Sequence, residues 1–420
     1  MEPMISVAQD SGRLTDRFDP RDAGRLAVLD TIRGSEGIAR IDIAEATGLS
    51  PATVTSITAD MLASGLIEEI LPDDRTGEKP AEKPGATRRG RPRVLLKLRG
   101  AAHRIAGVKV TQKSVTVLII DFEGREIASR EDPLATPRMT GPRLAATVAE
   151  AVDRTCADAG LTRRDLSAVG IGLAGQIDAT RNHVYWSSSL SSRNVDLGPA
   201  LAEVFPCPAF IDNDANLVAK AEHIFGMGRA LTDFLVVTVE HGVGLGMMIG
   251  GKLYRGARGC GAEFGHTKVQ AHGALCQCGQ RGCLEAYVGD YALLREAHMS
   301  AADADHQDVT DLFAAARNGD PIATEVIDRA GNMFAMGLAN LVNIFDPQLI
   351  ILAGTEVAQR PMFEPWVIDK MKRLVIDVDV PLPDIKVNQW GNLMWAKGAA
   401  AYAMEQVTIL TLRELGQNVA

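Results

Sequence analysis

The chain has 420 residues, of which 46% are apolar and 5% aromatic, with 40 glycines and a net charge of −9. That length exceeds one simple core and predicts two or three domains of ordinary α/β type. No eighteen-residue apolar run and no charged-then-apolar leader is present, so neither a membrane span nor a secretion signal is predicted and a cytoplasmic location is expected.

Residues 1–22 form a polar leader. "GRLAVLDTIRGSEG" then spaces Leu26, Leu29 and Ile32 along one helical face. Ile43, Ala44 and Ala46 suit a short second helix, and Gly48 supplies a tight turn. Ser50 is a good N-cap, and Pro51 sits at the first helical position, where its missing N–H costs nothing. Val54, Ile57 and Met61 face inward on this third helix, which leaves Ala52, Thr53, Thr55 and Ser56 outward, where a recognition helix meets base edges. Helical spacing alone also permits a generic three-helix bundle. The continuation favours DNA binding: "GLIEEI" reads as a strand and "RVLLKL" as its hairpin partner, which makes residues 23–100 a winged helix-turn-helix.

The wing is basic. Between Arg75 and Arg99 stand nine Lys/Arg against two Glu, a pattern that suits nucleic acid and also a solvated charged loop. The loop ends in "RRGRPR", and Arg89-Gly90-Arg91-Pro92 resembles an AT-hook. Arg88, Arg89, Arg91 and Arg93 are therefore expected to enter a narrow, electronegative minor groove. The Pro-, Gly- and charge-rich stretch from Pro72 to Gly85 is expected to order only on DNA.

Residues 101–420 alternate strands and helices. Hairpins recur beside helices twice over, which predicts two similar α/β lobes with a cleft between them. A last helix is expected from about Leu393 to Glu405. The six cysteines are Cys156, Cys207, Cys260, Cys276, Cys278 and Cys283, the last three within "CQCGQRGCLE". In a reducing cytoplasm such a cluster binds metal more often than it forms disulfides.

"GAEFGH", "CQCGQRGCLE", the "IDNDAN" turn and "GLANLVNIFDPQLIILAG" together resemble the ROK family of sugar kinases and sugar-responsive repressors, over residues 23–405. The resemblance implies an actin-like, hexokinase-type pair of lobes. Three thiolates and an imidazole favour tetrahedral zinc, and His266, Cys276, Cys278 and Cys283 supply that set. Four protein ligands leave no position for an activated water, so the zinc is expected to be structural. The spacing also matches the family's zinc loop, here 266–283. A redox role is the weaker reading because no Cys-x-x-Cys is present; Cys156, Cys207 and Cys260 read as buried small apolar residues. The resemblance further implies that Asn213, Asp214, Glu263, His266 and Glu285 contact sugar hydroxyls, with His266 serving zinc through one ring nitrogen and sugar through the other.

Kinases of the family carry "DxGGT" at the first hairpin. Here Lys109 stands at the Asp position, Thr111 and Gln112 at the glycines, and Lys113 at the Thr. The second phosphate loop reads "EHGVGLG", with Glu240 and His241 in place of Gly-Thr, and the late "GGG" is reduced to "AGT" at Ala353–Thr355. A carboxylate at such a loop repels phosphate. Asp214 keeps the position of the family's catalytic base. The expectation is a non-enzymatic sugar-responsive regulator, read as a repressor, acting as a homodimer or tetramer on palindromic operator DNA. The alternatives are an active sugar kinase with a DNA-binding appendage and a DNA-binding protein controlled by a protein partner.

Overall fold

The computed structural model describes residues 20–70, 94–300, 308–354, 360–388 and 391–417. Its N-terminal part comprises α1 (Pro20–Arg33), β1 (Ile38–Ala39), α2 (Arg40–Thr47), α3 (Pro51–Ala63), β2 (Ile67–Ile70) and β3 (Leu95–Leu98). Gly48 ends α2 in the left-handed region at φ 69°, where glycine bears no Cβ penalty. The Ser50 hydroxyl then accepts from Thr53 N at 3.1 Å and caps α3, as its sequence position predicts; such a cap contributes about 1 kcal/mol. The β2–β3 hairpin is joined by β1, which sequence reading did not foresee, in the order β1-β3-β2. The arrangement is a winged helix-turn-helix.

The body contains two sheets of one topology. In the first lobe, β4 (Arg104–Val110), β5 (Ser114–Asp121) and β6 (Glu126–Pro133) run antiparallel, and β4 continues in parallel to β7 (Ala168–Leu173) and β11 (Ala209–Asn213). In the second, β12 (Phe234–Val239), β13 (Val243–Ile249) and β14 (Lys252–Leu253) repeat the antiparallel part, while β15 (Leu349–Gly354) and β16 (Asp384–Val387) repeat the parallel part. This is the actin-like, two-lobed fold. A small sheet of β8 (Gly175–Asp178), β9 (His183–Ser187) and β10 (Val195–Asp196) leaves the first lobe beside the cleft.

Helix α4 (Gly141–Asp158) covers the first sheet, and α5 (Gly198–Val204) lies beside it. Helices α7 (Glu285–Val288), α8 (Asp290–Ser300), α9 (Val309–Arg317), α10 (Pro321–Phe345) and α11 (Pro365–Lys372) belong to the second lobe, whose core includes Phe334, Leu338 and Ile350. Between the sheets lie α6 (Asp214–Phe225) and α12 (Met394–Gln417). Glycines set their close approach: a Cβ on Gly107 would stand 1.9 Å from Ala396 O, and one on Gly398 would stand 2.3 Å from Leu217 O. Helix α12 extends twelve residues beyond the expected end, with Thr408 and Leu412 buried.

The winged helix is not a loose appendage. Leu29, Ile32 and Leu98 share one hydrophobic cluster with Ile105, Ile120 and Phe122 of the first lobe and with Met404 and Leu412 of α12.

Candidate functional site

Strand β11 feeds α6 with no intervening loop, so Asn213 is the N-cap and Asp214 the first helical residue. Asn213 Oδ1 accepts from Ala215 N at 2.9 Å, while its amide donates to Gly175 O at 2.8 Å. Asp214 Oδ1 also accepts from Ala215 N. Burial raises the Asp214 pKa above the ordinary aspartate value, and Lys109 opposes that rise.

The second lobe brings the other acids to the same region. Glu263 precedes the single turn Phe264–His266. Its pKa is pushed up to about 7, first by burial and then by the carboxylates of Glu285 and Asp214. Glu285 opens α7, and its Oε2 accepts from Val243 N at 3.3 Å. Gly242 lies close by: a Cβ at that position would stand 2.8 Å from Glu285 Oε2, so a side chain there would displace the carboxylate. Asn213, Asp214, Glu263, His266 and Glu285 thus converge from both lobes on one cleft.

His266 joins this cleft to the cysteines. Its Nδ1 lies 3.7 Å from Cys276 Sγ, while Nε2 lies 3.9 Å from Glu263 Oε2. Cys278 and Cys283 approach to 3.8 Å, and one donor atom from each of His266, Cys276, Cys278 and Cys283 falls within 4.8 Å of every other. The turn depends on Gly279 and Gly282 at φ 86° and 78°; at Gly282 a Cβ would also meet Gln270 O at 1.8 Å. This cluster can hold a metal ion. Of the remaining cysteines, Cys156 is buried as expected, but Cys207 and Cys260 are only half-buried. Cys260 lies on a surface turn and not in a core, with Sγ 3.6 Å from Arg258 O.

The cleft also holds an ion pair between the lobes. Lys109 Nζ, from β4, lies 3.2 and 3.0 Å from the two Glu240 oxygens, just beyond β12, and 3.3 Å from the centre of the Trp395 ring. Lys109 is only 8% exposed. In the β4–β5 turn, Thr111 Oγ1 accepts from Lys113 N at 3.1 Å and from Ser114 N at 2.9 Å. Gln112 donates to Ser188 O at 3.2 Å, and the His241 ring tilts over Tyr291 at 5.2 Å.

Three contributors escaped the sequence reading. Tyr291 OH donates to Glu285 Oε1 at 3.4 Å and to Cys276 Sγ at 3.6 Å, linking the acid to the metal-ligand cluster. Arg255 donates twice to Asp212 Oδ2, at 2.9 and 2.6 Å, a second pair between the lobes. Gln176 hydrogen-bonds Glu263. Asp212 carried a usable signal, because an acid ending a buried strand requires a partner.

On the DNA side, Ala52, Thr53, Thr55 and Ser56 are all exposed on α3, while Val54, Ile57 and Met61 are buried. Arg88, Arg89, Arg91 and Arg93 lie outside the described residues, as does Thr355. Among the described residues no helix is long and apolar enough to cross a membrane.

A winged helix-turn-helix DNA-binding profile matches residues 22–68, and the ROK family profile matches residues 105–406. The N-acetylglucosamine repressor of Escherichia coli is 29% identical over 324 residues, 76% of each chain. A crystal structure of a ROK family transcriptional regulator, described as a homologue of the E. coli MLC protein, superposes with a TM-score of 0.76. It covers 93% of this chain and 98% of its own at 22% identity, a likeness of fold. The ROK hexokinase of Thermus thermophilus is 30% identical, with a TM-score of 0.62 over 72% of this chain and 99% of its own. Regulators and kinases thus both resemble this molecule, and with the family profile spanning well over half of its length, the chain belongs to the ROK family.

Proposed function

We propose that this chain is a cytoplasmic, sugar-responsive transcriptional repressor without kinase activity. The observation that carries the reading is the Lys109–Glu240 pair, which stands where a kinase of this fold would receive phosphate, beside a cleft whose hydroxyl-binding acids are all retained. A kinase needs a magnesium-holding carboxylate and open backbone amides at that end. Here an ammonium replaces the carboxylate, and the Thr111 hydroxyl occupies the turn amides. Without an electrophile, Asp214 serves as a hydrogen-bond acceptor for a sugar hydroxyl, as do Glu263 and Glu285, while Asn213 donates.

In this reading residues 23–100 bind operator DNA, with Ala52, Thr53, Thr55 and Ser56 toward base edges and Arg88, Arg89, Arg91 and Arg93 in the minor groove. Residues 101–420 bind the sugar. The named N-acetylglucosamine repressor supports this assignment of roles. The molecule acts as a homodimer or a tetramer on a palindromic site, because helix-turn-helix geometry pairs two half-sites.

The metal is zinc. A zinc–sulfur bond of about 2.3 Å in a tetrahedron gives a sulfur–sulfur edge of about 3.8 Å, and Cys278 and Cys283 already stand 3.8 Å apart. With His266 and three cysteines the coordination shell is closed. Its role is to fix His266 and Glu285 against the sugar.

The test is a fluorescence-anisotropy titration of operator DNA in the presence of pentoses, hexoses and amino sugars, run beside a coupled ADP-release assay. The reading expects at least one sugar to change DNA affinity and none to release ADP. ADP release at kinase-like rates, or DNA binding that no sugar alters, would overturn it.

A further inference from the structure

A sugar-responsive cleft can take a free sugar or its phosphate ester, and these demand opposite electrostatics. We propose that the effector is an uncharged sugar, and that the Lys109–Glu240 pair is the specificity determinant that turns phosphorylated sugars away. The inference rests on the sugar-responsive reading above and narrows it to one chemical class.

A phosphate is held by cations with free donors and by open backbone amides, typically at a helix N-terminus or a glycine-rich turn. Among the described residues, several such donors at this end of the cleft are engaged within the chain. At the start of α6, Ala215 N and Asn216 N donate to Asn213 Oδ1 at 2.9 and 3.4 Å. In the β4–β5 turn, Thr111 N donates to Ser114 O, and the amides of Lys113 and Ser114 donate to Thr111 Oγ1. In the second loop, Glu240 N donates to Gly242 O at 2.9 Å and Val243 N to Glu285 Oε2. Lys109, the ammonium beside Asp214, is held by both oxygens of Glu240 and covered by Trp395.

The charge balance points the same way. Asp214, Glu240, Glu263 and Glu285 place four carboxyl groups around the cleft, with the ammonium of Lys109 among them. A phosphate dianion entering there meets a region lined by acids, with the carboxylate of Glu240 set against the ammonium of Lys109, whereas sugar hydroxyls find acceptors on both lobes. Glu240 has two effects: it neutralises the ammonium of Lys109, and it adds a carboxylate beside it.

The experiment is isothermal titration calorimetry on the full-length, zinc-loaded protein. D-Glucose, D-xylose and N-acetylglucosamine are compared with D-glucose 6-phosphate, D-xylose 5-phosphate and N-acetylglucosamine 6-phosphate, with operator anisotropy as a second readout. The expected result is one free sugar binding at least about 100-fold more tightly than its phosphate, since opposed like charges at an interface weaken binding by that order. In the isosteric variant Glu240→Gln, which frees Lys109 and removes a carboxylate, that ratio falls at least about tenfold. A phosphate that binds as well as its free sugar would overturn the inference while leaving the sugar-responsive reading intact. A ratio unmoved in Glu240→Gln would remove the pair from the role of determinant. Absence of binding and of any DNA effect by every compound would overturn both this inference and the reading beneath it.

Discussion

Lys220 Nζ lies 2.9 Å from Glu405 Oε1, tying α6 to α12 at the place where the winged helix docks. Helix α6 begins at Asn213 and Asp214 in the cleft, so Lys220 stands about two turns from the candidate sugar contacts. Around the pair, Asp30 and Arg33 of α1 bind each other at 2.7 Å, and Arg229 donates to the Arg33 carbonyl. Arg25 reaches the Leu412 carbonyl at 3.4 Å. The cleft and the DNA-binding part are therefore joined by two packed helices and a partly buried ionic cluster.

Replacing Lys220 with Met leaves the Glu405 carboxylate without its principal partner. The loss should cost about 1–3 kcal/mol, below the value for a fully buried pair because Glu405 is partly exposed. Urea unfolding would measure it, and Lys220→Met combined with Glu405→Leu should recover part of the loss. In the single variant sugar affinity should persist while the sugar-dependent change in operator affinity shrinks; a full response would show that coupling runs elsewhere.

Glu405 also predicts a pH dependence. Burial raises its pKa, but the charge and hydrogen bond of Lys220, with Arg255 and His223, hold it below the ordinary glutamate value. A carboxyl whose folded pKa is depressed contributes stability that is present above the unfolded value of about 4.5 and lost as pH falls through the folded one. The stability advantage of wild type over Glu405→Gln should be full near pH 7 and shrink below about pH 4.5. An advantage that grows in acid would contradict the sign.

How much of this was legible depended on sequence distance. The clustering of His266 with the three cysteines could be read because the four donors fall within eighteen residues and share one ligand chemistry. The α2–α3 turn could be read from Gly48, Ser50 and Pro51, where local backbone physics is decisive. Lys109 and Glu240 were each visible as misfits in phosphate loops, yet nothing local shows that residues 131 apart are bonded. Arg255 with Asp212 and Lys220 with Glu405 were hidden for the same reason. The β8–β10 sheet escaped notice because its strands are short and lack a clean alternation of apolar residues.

Cys276→Ser removes one of the four proposed metal ligands from a buried position. Zinc measured by inductively coupled plasma mass spectrometry should fall from about one per chain toward zero, and the unfolding midpoint should drop by roughly 5 °C or more. Chelator treatment of the wild type should lower its midpoint in the same way. Full zinc occupancy in Cys276→Ser would refute the ligand set.

Lys109→Met tests the pair between the lobes by leaving Glu240 uncompensated. Burial already raises the Glu240 pKa and Lys109 opposes that rise, so removing the ammonium favours the protonated carboxyl further. Stability near pH 7 should fall by about 1–3 kcal/mol, and the deficit should narrow at lower pH as Glu240 takes up a proton. A deficit independent of pH would mean that lost packing on Trp395, and not charge, accounts for the effect.

The final prediction concerns DNA. Arg89→Ala with Arg91→Ala removes two cations from the basic segment between β2 and β3 while leaving α3 and its Ser50 cap in place. If both arginines neutralise phosphates along the minor groove, operator affinity should fall at physiological salt and the slope of log K against log salt should flatten by about 2. Thr53→Ala and Ser56→Ala lie on the exposed face of α3 and should instead change the ranking of operator variants with little change in that slope. An arginine double variant with an unchanged salt slope would take the wing out of the DNA contact and leave recognition to α3 alone.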